Sequence, residues 1–170
     1  MVRIETKVID NFIDPLLCKA IYANILRLPM KYNQSSCIDE IKEPTDSRFF
    51  ISNMSEFDHV ILYLLVKVKD FLNQDLEYIR SYANIQFRDQ NSDWHIDDGD
   101  YTILLMVSET IEDGKFEIDD HKVDFIQNRC IIFDAKKRHR ALASKYAILP
   151  RCTVAIKTRR KNANRKITNT

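Results

Sequence analysis

Apolar positions recur at helical spacing in the first 76 residues, and from about residue 77 the repeat shortens to two. Asp14 followed by Pro15 supplies an acceptor at an N-cap and a proline in the first turn. Leu17, Ile21, Ile25 and Leu28 then share one face until Pro29, which predicts a helix over 14–28. Phe57, Val60, Ile61, Leu64, Leu65, Val68, Phe71 and Leu72 form a second stripe of the same period and predict a helix over 56–73. Beyond it, alternating or β-branched segments predict strands at 78–88, 94–97, 101–108, 115–118, 122–126, 129–134, 139–143 and 151–158. Asp98-Gly99-Asp100 and Asp113-Gly114 read as turns, and Pro150 precedes the last strand, where its missing N–H does little harm. The fold class this implies is mainly β with N-terminal helices (α+β), a sandwich or jelly roll whose two helices pack on one outer face.

At 170 residues, with only 2 glycines and 4 prolines, the chain offers no linker to divide it. The expectation is one domain: a helical support region at 1–76, a β core at 77–158 and a basic tail at 159–170. No apolar run approaches the roughly 20 residues needed to span a bilayer, and residues 1–10 lack the apolar stretch of a signal peptide. A cytoplasmic protein with no membrane partner is expected. Cys18, Cys37, Cys130 and Cys152 fit no C-x-x-C spacing and read as reduced core thiols. A Cys130–Cys152 bridge is the competing arrangement, since both lie on predicted strands.

The formal net charge of +1 conceals a strong polarity. Residues 129–170 carry 13 of the 26 Lys and Arg and a single acid, Asp134. A basic C-terminal third attracts anions, so nucleic-acid contact through Lys157, Arg159, Arg160, Lys161, Arg165 and Lys166 is an open reading beside that of a solvated tail.

His95-Ile96-Asp97 opens the β region, and on an extended segment residues i and i+2 face the same side. His139 comes 42 residues after Asp97, just past the strongly β-like Cys130–Phe133, so a returning strand can bring it to the same place. Two imidazoles and one carboxylate on one side of a metal leave adjacent positions open for a chelating cosubstrate and O₂. Twelve residues past His139, Arg151 and Thr153 project from one side of a strand, a guanidinium and a hydroxyl suited to gripping a carboxylate.

Taken together, these features resemble the Fe(II)/2-oxoglutarate-dependent oxygenases of double-stranded β-helix fold, especially small stand-alone members related to the prolyl 4-hydroxylase catalytic domain and often found in phages. The resemblance spans most of the chain. It runs through Val8-Ile9-Asp10-Asn11-Phe12-Ile13-Asp14, His95-x-Asp97, Asp113-Gly114-Lys115-Phe116, Ile131-Ile132-Phe133-Asp134, His139 and Arg151-x-Thr153. It implies that His95, Asp97 and His139 bind the iron through which catalysis runs, and that Arg151 holds the distal carboxylate of 2-oxoglutarate with help from Thr153. O₂ would be the oxidant, ascorbate the accessory reductant, and succinate and CO₂ the co-products. Lys115 stands where relatives often have glycine, and Arg151 where prolyl hydroxylases often have lysine. Tyr82, Asn84 and Gln86 alternate on one face of the strand entering His95-x-Asp97 and are candidates to line the cosubstrate pocket.

The implied substrate is a peptidyl, prolyl in the first instance, or small-molecule one. Base or N-alkyl oxidation of nucleic acid is the alternative, although demethylases of the superfamily carry a second arginine where this chain has Lys157. A metal-binding jelly roll without catalysis is the third reading. His121 after two aspartates and His59 near a helix start read as solvated residues, and Trp94, facing away from His95, as core packing or a pocket rim.

Overall fold

The computed structural model describes residues 5–34, 49–54, 57–119 and 121–161. Cys37 and the end of the basic tail from residue 162 lie outside them. In chain order the elements are β1 (Lys7–Ile9), α1 (Pro15–Ile25), β2 (Lys31–Gln34), β3 (Phe49–Asn53), α2 (Asp58–Leu72) and β4 (Leu76–Gln86). There follow β5 (Tyr101–Met106), β6 (Ile111–Ile118), β7 (His121–Phe125), β8 (Cys130–Asp134), β9 (His139–Leu142) and β10 (Arg151–Arg160).

Both helices form where the sequence places them. The Asp14 carboxylate accepts from the backbone N–H groups of Leu16 and Leu17 at 2.9 and 3.0 Å, closing the start of α1. The helix stops at Ile25, three residues before the predicted end, and Leu28 reaches the core from the turn that follows. Asn73, in the left-handed region at φ 49°, ends α2.

A seven-stranded sheet runs β1-β8-β5-β10-β4-β3-β2, and a three-stranded sheet runs β7-β6-β9, all pairs antiparallel. Strand alternation divides the large sheet into two faces. Ala83, Ile85, Ile103, Leu105, Cys130, Ile132, Cys152, Val154 and Ile156 meet Cys18, Ile21 and Ile25 of α1 and Val60, Ile61, Leu64 and Val68 of α2. On the other face Leu104, Met106, Ile131, Phe133 and Ala155 pack against Phe116, Ile118, Val123 and Phe125 of the small sheet. The two sheets and their core form the jelly roll, and both helices cover one outer face, as the residue pattern predicts.

Three expectations need correction. Residues 94–97 are not a strand: only His95 bridges His139, with Asp97 N–H donating to Ala135 O at 2.8 Å and Ser92 N–H to Ala141 O at 2.9 Å. The segment runs beside β9, joined to it by isolated bonds. Asp113-Gly114 is no turn, because β6 runs through it with a register shift between Ile111 and Lys115. A Cβ at Gly114 would stand 3.2 Å from Ile111 and 3.3 Å from Phe125. Residues 1–76 are also more than helical support, since β1 and the β3-β2 pair extend both edges of the large sheet. These three strands are short, and their alternation is too brief to register as a period.

Candidate metal and cosubstrate centre

His95, Asp97 and His139 come together between the sheets, with one ligand atom from each lying within 4.8 Å of the others. His139 starts β9, and the paired backbone bonds to His95 (3.1 and 2.9 Å) fix the two imidazoles side by side, ring centroids 4.2 Å apart. Each Nδ1 lies against a carbonyl oxygen two residues earlier, His95 on Asp93 at 2.8 Å and His139 on Lys137 at 2.9 Å. A carbonyl can only accept, so Nδ1 carries a proton and Nε2 of each ring faces inward. His139 Nε2 stands 3.2 Å from Asp97 Oδ2, and His95 Nε2 4.0 Å from Oδ1. Lone pairs and a carboxylate converging in this way call for a cation.

Electrostatics agree with the geometry. Burial, reinforced by the neighbouring His139, lowers the pKa of His95 to about 4, so its ring is neutral at physiological pH. Burial would raise the Asp97 pKa, but contacts with His139 and Lys157 outweigh it and hold the carboxyl well below the usual range. Thr102 donates to Asp97 Oδ2 at 2.6 Å, and the Lys157 ammonium forms an ion pair with the same oxygen. Phe133 and Phe116 wall the His139 ring at centroid distances of 4.8 and 5.6 Å.

One cavity of about 280 Å³ joins this cluster to the inner faces of β4 and β10. Strand register sets its walls: Arg151 lies opposite Gln86, Thr153 between Asn84 and Met106, and Lys157 beside Thr102. Arg151 is 1% exposed, its guanidinium 4.8 Å over the Phe125 ring and its Nη1 donating to Gln86 Oε1 at 2.6 Å. Gln86 is itself held by donation to Gln90 O at 2.7 Å. Arg151 Nε and Nη2, Thr153 Oγ1 and Asn84 Oδ1 are buried without a hydrogen-bond partner. A cation with two orphaned donors beside an orphaned hydroxyl is a cradle for an anion. The donor set therefore fits both a divalent metal and a carboxylate ligand reaching from it to Arg151.

Of the residues singled out in the sequence, His95, Asp97, His139, Arg151, Thr153, Asn84, Gln86 and Tyr82 all line this cavity. Gln86 touches Arg151, and Tyr82 lies under Arg80 and Lys157, 5.2 and 5.6 Å from its ring centroid. Sequence reasoning missed Thr102 and read Lys157 as part of the basic C-terminal segment, whereas it is buried on Asp97. The signal for Lys157 was present, since it continues the Arg151-Thr153 face of β10, but its partner Asp97 is 60 residues away. Trp94 is neither core nor cavity wall, being capped by Arg138 and Arg140 at 5.7 and 4.8 Å. His59 and His121 are exposed. In the basic segment, Arg159 faces Glu77 at 3.8 Å, and Arg160 bonds Tyr101 and the Asp100 carboxylate.

No protein-family model matches the chain, and no curated protein matches it. Solved structures do. An oxidoreductase of the 2OG-Fe(II) oxygenase family from Burkholderia pseudomallei superposes with a TM-score of 0.71 at 13% identity, over 90% of this chain and 84% of that one. The viral collagen prolyl hydroxylase of Paramecium Bursaria Chlorella virus-1, in its 2OG complex, gives 0.62 at 13% identity over 90% and 94%. A prolyl hydroxylase from Trichoplax adhaerens, in complex with a hypoxia inducible factor oxygen degradation domain peptide fragment, gives 0.60 at 12% identity over 90% and 82%. The chain has the jelly-roll fold that these 2-oxoglutarate/Fe(II) oxygenases and prolyl hydroxylases share.

Proposed function

We propose that this protein is an Fe(II)- and 2-oxoglutarate-dependent dioxygenase that hydroxylates a peptidyl substrate, prolyl residues first, or a small molecule. The observation that carries the reading is the adjacency, in one cavity, of the His95-Asp97-His139 cluster and an Arg151 guanidinium with two unpartnered donors. His95, Asp97 and His139 would hold the iron, and Arg151, with Thr153 and Asn84, the far carboxylate of 2-oxoglutarate. Gln86 orients Arg151, and Tyr82 lines the wall beside Lys157. Bound there, the iron and its cosubstrate would supply the oxidising power: O₂ would give one oxygen atom to 2-oxoglutarate, yielding succinate and CO₂, and the other to a substrate C–H bond, yielding the alcohol.

The chain's own contribution is placement. Nδ1 bonds to Asp93 and Lys137 keep both imidazoles aimed at the metal position, Thr102 fixes the Asp97 carboxylate, and Phe116 and Phe133 keep water off that wall. A peptide substrate is favoured by the Trichoplax adhaerens relative, whose complex holds a peptide. The three described cysteines are free and buried, which suits the reducing compartment we assign.

The test is succinate formation with Fe(II), ascorbate and 2-oxoglutarate, followed by mass-spectrometric search for +16 Da products in peptide and oligonucleotide pools. Turnover in wild type, lost in His95→Ala, with hydroxylated peptides is the expected result. No succinate from wild type, or products only among oligonucleotides, would refute the proposal.

A further inference from the structure

Lys157 is the least expected member of the site. It is 2% exposed, and its ammonium lies on Asp97 Oδ2 and 3.3 Å from Thr102 Oγ1. Its neighbours leave it the sole lysine or arginine on that carboxylate among the described residues. Arg80, opposite it across the β10–β4 register, is turned to Asp98 at 2.7 Å, and Lys136 donates to the Asp97 backbone carbonyl at 2.9 Å.

We propose that Lys157 is an internal counter-cation, a positioning residue that occupies Asp97 in the metal-free protein and lowers the affinity of the centre for divalent ions. This rests on the reading of His95, Asp97 and His139 as a metal site. A divalent ion bound by two neutral imidazoles and one carboxylate leaves the centre with one net positive charge, and Lys157 raises it to two in a place closed to solvent. Coulomb repulsion falls off slowly there, and a carboxylate already bonded to an ammonium is a poorer ligand. Thr102 keeps Asp97 oriented without Lys157, so removing the lysine lifts the competition and preserves the geometry. The metal-free protein needs the lysine, because a buried carboxylate stripped of its cation destabilises the fold. A bound metal takes over that task.

The experiment is a cobalt(II) titration without cosubstrate, followed by visible absorbance, on wild type, Lys157→Met, Lys157→Gln and His95→Ala, with melting curves of each in chelator and at saturating cobalt. Both lysine variants should bind cobalt at least about tenfold more tightly than wild type. Their metal-free forms should melt lower, and cobalt should close the gap. A variant that folds only when cobalt is added reads the same way. Unchanged or weaker cobalt binding in both variants, or a deficit that persists at saturating cobalt, overturns the assignment of Lys157. Cobalt binding by His95→Ala equal to wild type, or none by wild type, would instead refute the metal site itself.

Discussion

Replacing Arg151 by methionine should stabilise the cosubstrate-free protein while abolishing tight 2-oxoglutarate binding. Burial pushes the Arg151 pKa from 12.5 down to about 10. The native state therefore disfavours the charged form, present at neutral pH in folded and unfolded chains alike, by roughly 3 kcal/mol. Two of the guanidinium nitrogens have no partner and no described carboxylate lies within ion-pair distance, so only the Gln86 hydrogen bond and the Phe125 ring face offset this cost. Methionine keeps an unbranched apolar stem over Phe125 and removes the charge, at the expense of stranding Gln86 Oε1, which costs about 1–2 kcal/mol. The net gain of about 1–2 kcal/mol should raise the melting temperature by a few degrees for a domain of this size. The same substitution removes the carboxylate's counter-charge, which costs about 2–5 kcal/mol of binding, roughly 30-fold or more. Melting curves of chelated protein, and then with metal and 2-oxoglutarate, measure both effects. A variant that melts below wild type without cosubstrate, or gains equal protection from 2-oxoglutarate, would show that the cavity was not built around an absent anion.

Two further outcomes follow from the same centre. His95 has a folded pKa of about 4 against roughly 6.5 when unfolded, so stability is fully present above the unfolded value and should fall by about 3 kcal/mol as pH drops from 6.5 to 4. Depression of the Asp97 pKa adds a second loss below its unfolded value of about 3.9. Urea denaturation of the chelated protein across this range should show the first slope, flattened in His95→Gln, and equal slopes in the two proteins would contradict it. Gly99→Ala should be strongly destabilising, by about 2 kcal/mol or more, since φ is 82° and the added Cβ would meet Thr158 O at 2.5 Å. A circular-dichroism melt of the variant indistinguishable from wild type would mean that the turn after Asp97 is not held in that conformation.

Local pattern determined much of this protein. Helical stripes ending at Pro29 and near Asn73, the change of period near residue 77, and the alternation of Arg151, Thr153 and Lys157 against Cys152, Val154 and Ile156 all reflect forces between residues close in sequence. So does the common side of His95 and Asp97, which survives even though 94–97 forms a single bridge and no strand. The spacing could not show that Asp113-Gly114 continues β6, or that the short β1, β2 and β3 join the large sheet, because these depend on partners far along the chain. Tertiary structure alone placed Thr102 and Lys157 on Asp97, gave Gln86 to Arg151 and left two guanidinium nitrogens unpaired. A charged side chain takes its role from whichever group burial brings within about 3 Å of it, and that proximity is set by sheet register between strands tens of residues apart.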